Sequence, residues 1–149
     1  MELTTAMMSA LRAPFPASAI ELKPGATNRE KTKALALAYC DMRAYQERLD
    51  DALGPLAWSV EYRPLGSGAV VCRLMLAGVV REDVGECATE DANRATIAVA
   101  QAFKRTCASF GLGRYLYSLP QLWADWDADT KTFRNPARII AHLYKAAGL

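Results

Sequence analysis

Lys104 and Arg105 stand side by side in the run RATIAVAQAFKRTCASFGLGRYLY, from Arg94 to Tyr117, and no acidic residue occurs between Asp91 and Asp125. Side chains of this kind hold phosphate: Arg presents a fork that can take two oxygens, and Lys a mobile point charge. A helix that is apolar where buried and basic where charged sets up a positive field that nothing nearby in sequence cancels, the footprint of a binder of nucleic-acid backbone. Arg94 and Arg114, at the two ends of the stretch, extend it. The competing reading is a solvated Lys-Arg pair on an ordinary surface helix.

Other residue sets fall short of catalysis. Glu82, Asp83 and Glu86 imitate the carboxylates of a metal-dependent nuclease, but neighbours on a strand face opposite ways and cannot converge on paired metals. Asp125-x-Asp127-x-Asp129 has the opening of a calcium loop, yet Thr130 replaces the turn glycine and Pro136 the closing glutamate. No glycine-rich loop ending in Lys-Ser or Lys-Thr supports ATP-driven strand exchange. The four cysteines, Cys40, Cys72, Cys87 and Cys107, contain no Cys-x-x-Cys pair, and His142 is the one imidazole. The expectation is therefore a non-enzymatic protein with no metal, cofactor or small-molecule substrate, whose thiols are reduced and mostly buried in the cytoplasm. The N-terminus lacks the basic and apolar regions of a signal peptide, and no membrane span is expected.

Eighteen Lys and Arg against sixteen Asp and Glu leave a net charge of only +2 in 149 residues, so distribution matters more than balance. Acids gather at Glu82 to Asp91 and Asp125 to Asp129, bases at Lys23 to Lys33 and Arg94 to Arg114, which predicts a bipolar surface. The length fits a single domain, 1–149, able to bury a core without staples.

The elements that must position these bases alternate in type. Leu3, Met7 and Leu11 have helical spacing, ended by Pro14 and Pro16. Ala17 to Lys23 is extended, and Pro24-Gly25-Ala26-Thr27-Asn28 supplies turn chemistry. Leu35, Leu37 and Tyr39 then alternate with alanines, which predicts a strand, with a helix from Asn28 onward as its competitor. A helix from Asp41 to Leu53 closes at Gly54. Trp58 to Arg63, Ala69 to Ala77 and Val79 to Glu86 form an antiparallel meander joined at Gly66-Ser67-Gly68 and Ala77-Gly78. Thr89 is the expected N-cap of the long helix, with Glu90 and Asp91 at the positive end of its dipole. Thr96, Val99, Phe103, Thr106 and Phe110 are its expected apolar face, leaving Lys104 and Arg105 to reach outward. Asn135-Pro136 starts a last helix with Ile139, Ile140, Leu143 and Tyr144 on its apolar side. This helix has two uses open to it, packing on its own core or on a neighbouring subunit. The expected class is α+β: a meander on a long helix, with an N-terminal hairpin and helix and a C-terminal helix.

The succession WSVEYRPLG, VVCRLML, REDVGE and AFKRTCASFGLGRYLY resembles the core of the Rad fifty-two family of single-strand annealing proteins. APFP and KPGATNREKT upstream, and LPQLWADWD downstream, are most similar to its bacterial, DNA damage response branch. The resemblance runs from about Ala13 to Asp127, leaving 128–149 as a helical extension, and the ordered succession is more specific than any single block.

That resemblance implies subunits joined in a closed ring, with single-stranded DNA in a basic groove around it, in a nucleoid-associated protein of double-strand break repair that protects ends, anneals strands, or both. In the family the Lys-Arg pair before Ser-Phe-Gly contacts the DNA backbone, which implies that role for Lys104 and Arg105. A further family base falls at Ala108, implying a weaker or differently routed groove. The hairpin residues Lys23, Arg29, Lys31 and Lys33 are the implied opposing wall. Annealing requires phosphates to be held and base edges left free. Tyr39, Tyr115 and Tyr117 have an alternative use as stacking platforms, against filling a core or a subunit seam. A double-stranded-RNA-type module and a plain oligomeric scaffold are the other readings of the chain. Open sheet edges, with Ile139, Ile140 and Leu143 of the tail helix as an additional contact, would join the subunits.

Overall fold

The computed structural model describes residues 1–88 and 90–149. Among them the elements follow in the order α1 (Thr5–Arg12), β1 (Ile20–Thr27), β2 (Lys33–Cys40), α2 (Met42–Leu53), β3 (Trp58–Pro64), β4 (Val70–Leu76), β5 (Val79–Gly85), α3 (Arg94–Ser109), β6 (Trp123–Asp127), β7 (Thr132–Phe133) and α4 (Pro136–Ala146). The class is α+β with antiparallel sheets, and the meander and long helix lie where the sequence puts them. The chain forms two compact units, residues 1–13 with 42–114, and residues 14–41 with 115–149.

In the first unit β3, β4 and β5 pair in that order, and α3 lies on one face of the sheet. The period of two sends Cys72, Leu74 and Leu76 of β4 inward, where they are fully buried with Phe103, Thr106 and Cys107 of α3. The connection after β4 turns at Ala77 and Gly78, both at positive φ (47° and 88°). Gly54, at φ +90°, ends α2 by returning its amide to the Asp50 carbonyl. The Arg48 guanidinium of α2 takes the orphan carbonyls of Ala10 and Ala13 at the end of α1.

The outer sheet face carries charge. Arg63 grips Glu82 with two hydrogen bonds of 2.9 Å, and Arg73 reaches Glu61 at 3.4 Å and Glu82 at 3.8 Å. Glu82 and Asp83 do face opposite ways. The Asp83 carboxylate accepts the Val84 amide instead.

Two expectations for α3 change. Thr89 lies outside the described residues; α3 itself begins at Arg94, after Asn93, whose side chain makes no capping bond. The buried stripe is also wider than expected: Phe103, Thr106 and Phe110 are buried as expected, Val99 is half-buried, Thr96 is exposed, and Ala98 and Ala102, four residues apart, join the contact. The cause is Gly85: a Cβ there would overlap the Ala98 carbonyl and the Ala102 amide, so strand and helix approach too closely for larger side chains.

In the second unit the sheet order is β1-β2-β6-β7. The alternating segment is a strand, as expected, but its alanines take the core: Ala34 and Ala36 are buried with Ala124, Trp126, Phe133, Ile139 and Leu143, while Leu37 is exposed. Small residues on β2 leave room for the Trp126 and Phe133 rings, 5.0 Å apart.

The hairpin turn is displaced from the expected Pro24-to-Asn28 segment. Pro24 to Thr27 remain in β1, with a register shift between Pro24 and Thr27, and the chain reverses over 28–32. The organiser is Asn28, whose side-chain oxygen accepts the amides of Thr32 and Lys33 at 2.8 and 2.9 Å. α4 starts at Asn135-Pro136 as expected, with the Asn135 side chain accepting the Arg138 amide. It buries Ile139, Ile140 and Leu143 in the core of its own unit. Of the two uses open to this helix, the structure shows packing on its own core.

Candidate nucleic-acid interface

The basic residues of the first unit are organised by the seam between β5 and α3. Gln101 accepts the Glu86 amide at 2.8 Å, Arg105 donates to the Val84 carbonyl at 2.9 Å, and Arg81 donates to the Ser109 carbonyl. Three side-chain bonds thus lace an edge strand to the helix around Gly85. Helical spacing puts Arg94, Gln101 and Arg105 on one stripe beside the alanines.

Arg105 is consequently half-buried rather than simply outward. One of its five donors serves the fold. Lys104 is also half-buried, and at 100° per residue it falls on the side of α3 away from Ala102. The adjacent pair therefore divides, Arg105 at the sheet seam and Lys104 round the helix from it.

Arg114 follows the Gly111-Leu112-Gly113 turn, where Gly111 and Gly113 have φ of 98° and 72°. The turn brings its guanidinium back onto the helix end: Nε donates to the Ala108 carbonyl at 2.7 Å and Nη2 to the Ser109 carbonyl at 2.8 Å. Arg94 is exposed at the opposite end, about 22 Å away along the axis. The structure therefore gathers Arg105 and Arg114, and leaves Arg94 apart.

Sequence reasoning misses Arg81. It opens an acidic run, and its neighbours in sequence hide it. The available signal was alternation, since Val79, Arg81, Asp83 and Gly85 must share the helix-facing side of β5. Its guanidinium lies 4.8 Å from the centroid of the Phe110 ring, which is buried.

In the second unit Lys23, Arg29, Lys31 and Lys33 are all exposed. Arg29 and Lys31 ride the hairpin turn, Lys31 at φ 55°. Lys33 pairs with Asp125 at 3.1 Å, so part of its field is cancelled. The Lys23 ammonium sits 5.7 Å from the centroid of the Tyr39 ring. A hydrogen bond with Glu21, together with burial, raises the Tyr39 hydroxyl above its ordinary range.

The three tyrosines for which stacking is the alternative to a core or seam role differ. Tyr39 is engaged by Lys23, and Tyr115 packs edge-on against Tyr144 at 6.0 Å; Tyr117 is 67% exposed. Cys40, Cys72 and Cys107 are buried thiols outside any disulfide, and burial raises Cys72 and, further, Cys107. Asp127 turns its carboxylate onto the amides of Asp129 and Thr130, which hold it below the usual carboxylate range. Among the described residues no cluster of three His, Cys, Asp or Glu is placed to hold a metal, and no helix is long and apolar enough to cross a membrane.

The family described as Rad52/22 family double-strand break repair protein matches residues 4–134. The single-stranded DNA-binding protein DdrA of Deinococcus radiodurans is 47% identical over 120 residues, covering 78% of this chain and 57% of that protein. The protein of the same name from Deinococcus deserti is 43% identical over 120 residues, 78% of this chain and 59% of its own length. The chain thus spans less than three-fifths of either relative. With the match extending over most of its length, from α1 through β7, the chain belongs to the Rad52/22 family.

Proposed function

We propose that this chain binds single-stranded DNA through its phosphates in double-strand break repair, without catalysing a bond change, and that it protects ends, anneals strands, or both. The observation that carries this reading is the α3 edge: among the described residues no carboxylate forms an ion pair with Arg94, Arg105 or Arg114. Charges left uncompensated along one helix and the turn after it attract a polyanion. Both relatives bear the name single-stranded DNA-binding protein.

In this reading Lys104, Arg105, Arg94 and Arg114 contact phosphate, as do Lys23, Arg29, Lys31 and Lys33 of the hairpin. Residues 1–149 act as one binding domain, in the cytoplasm at the nucleoid. Chains assemble as a homo-oligomeric ring through the open edges of β3 and β5, because weak phosphate contacts gain strength by repetition along a strand.

The test is binding of the full chain to unrelated oligonucleotides over a salt series, with duplex RNA as competitor. Binding that is indifferent to sequence, prefers single-stranded DNA and falls steeply with salt supports the reading. Preference for duplex RNA, or no affinity at low salt, overturns it. Light scattering tests the ring, and a monomer binding long strands with full affinity removes that part.

A further inference from the structure

We propose that Arg81 and Arg114 form a two-guanidinium seat for one backbone phosphate of single-stranded DNA at the C-terminal end of α3. The proposal rests on the DNA-binding reading above, and it adds a residue, Arg81, from outside the basic stretch.

Two arginines far apart in sequence converge on a single atom. Arg81 donates to the Ser109 carbonyl from β5, and Arg114 donates to the same oxygen from the turn after α3, with its Nε on the Ala108 carbonyl. Both residues are exposed. Sharing one acceptor holds the two charged groups on the order of 6 Å apart or closer, so they repel. The partial negative charge at the helix C-terminus relieves that only in part, being about half a unit against two full ones.

No carboxylate completes the compensation. Neither arginine forms an ion pair among the described residues, and Asp83, which shares Arg81's side of β5, turns its carboxylate onto the Val84 amide. Each guanidinium is also held in place, Arg81 over the Phe110 ring and Arg114 by two carbonyls. Both therefore keep further donors in a fixed geometry, which lowers the ordering cost of taking an anion.

The anion is a DNA phosphate because the seat continues a line of cations. Arg105 lies four residues before Ser109 on α3, about 6 Å along the axis. A single strand following this edge meets Arg105 and then the seat. A capping role alone would leave the salt dependence of DNA affinity unmoved when the charges are removed and the fold is kept.

The test compares wild-type full chain with Arg81→Gln, Arg114→Gln and the double variant, reading oligothymidylate affinity across a salt series and thermal stability in parallel. Gln keeps a donor for the carbonyl and loses the charge. Each single change should weaken binding severalfold, and the double variant should flatten the log affinity against log salt slope by about 0.7, the value of one lost phosphate contact on a single strand. Two independent contacts would flatten it by about twice that, and an unchanged slope in a folded double variant would leave only capping; either overturns the seat. Should the Gln variants fail to fold, Arg81→Lys keeps the charge without the fork: the slope should hold while affinity falls, and wild-type affinity would overturn the proposal. If Lys104→Ala weakens binding and the seat variants do not, the seat fails and the DNA-binding reading stands. If wild-type chain does not bind DNA, both fall.

Discussion

The hydroxyls of Tyr115 and Tyr144 lie 2.6 Å apart, and together they clamp both backbone groups of Phe15. The Tyr144 hydroxyl donates to the Phe15 carbonyl at 2.8 Å, so its one proton is used and it must accept from Tyr115. Tyr115 in turn accepts the Phe15 amide at 3.1 Å. The result is a closed ring of hydrogen bonds that ties α4 to the start of its unit. Burial, and then the bond to Tyr115, push the Tyr144 hydroxyl well above the usual tyrosine range.

Tyr144→Phe should therefore destabilise the protein by about 1–3 kcal/mol, since the Phe15 carbonyl and the Tyr115 hydroxyl both lose a partner. Urea unfolding measures this. The Tyr115→Phe cost should be less than additive with it, because the two belong to one network. The salt slope of DNA binding should stay at its wild-type value.

Gly85→Ala tests how closely β5 and α3 approach. The new methyl would overlap main-chain atoms of Ala98 and Ala102, which no rotamer change relieves. We expect a loss on the order of 1–3 kcal/mol, typical of overpacking, or failure to fold. Gly54→Ala, where the added atom meets open space, should cost less and only through its positive φ. Equal midpoints for the two variants would contradict the close contact.

Lys104 and Arg105 should separate in the same assay. Arg105→Ala removes a bond to the Val84 carbonyl, and should lower the melting temperature as well as DNA affinity. Lys104→Ala should reduce affinity and flatten the salt slope by about 0.7. Arg105→Ala with unchanged stability would show that the seam does not need the guanidinium.

Lys31 occupies the left-handed region at φ 55°, so Lys31→Gly removes a charge while easing the backbone. Stability should hold or rise slightly. Affinity for unrelated single strands should fall by a similar factor for each, as expected of a phosphate contact. Unaltered affinity would take the hairpin turn out of the binding surface.

Glu82 provides a pH test. The hydrogen bond from Arg63, aided by the charges of Arg63 and Arg73, holds its carboxyl below the usual range. A lowered carboxyl pKa stabilises the fold above the unfolded value, about 4.3, and loses that contribution as pH falls through the folded value. The melting-temperature gap between wild type and Glu82→Gln should thus be present near neutral pH and close in acid. A gap that widens in acid would exclude the ion pair as its source.

Much of the architecture follows from local chemistry. Gly54 after Leu53, Asn135-Pro136 before α4 and the glycine turns of the meander act through their own dihedrals and nearest hydrogen bonds, so the residues alone determine them. The acid-free run from Arg94 to Tyr117 likewise marks the basic helix. Tertiary structure decided the rest. The close approach at Gly85 extended the buried face of α3 onto Ala98 and Ala102 and drew Arg105 to the seam. Arg81, separated from Ser109 by 28 positions, joined Arg114 only because β5 lies beside α3. The Asn28 side chain overrode the turn expected at Pro24 and Gly25, and α4 spent its apolar face on its own core. Apart from Asn28, whose partners are four and five residues on, the deciding contacts join atoms distant along the chain, and periodicity carries no information about which distant surfaces meet.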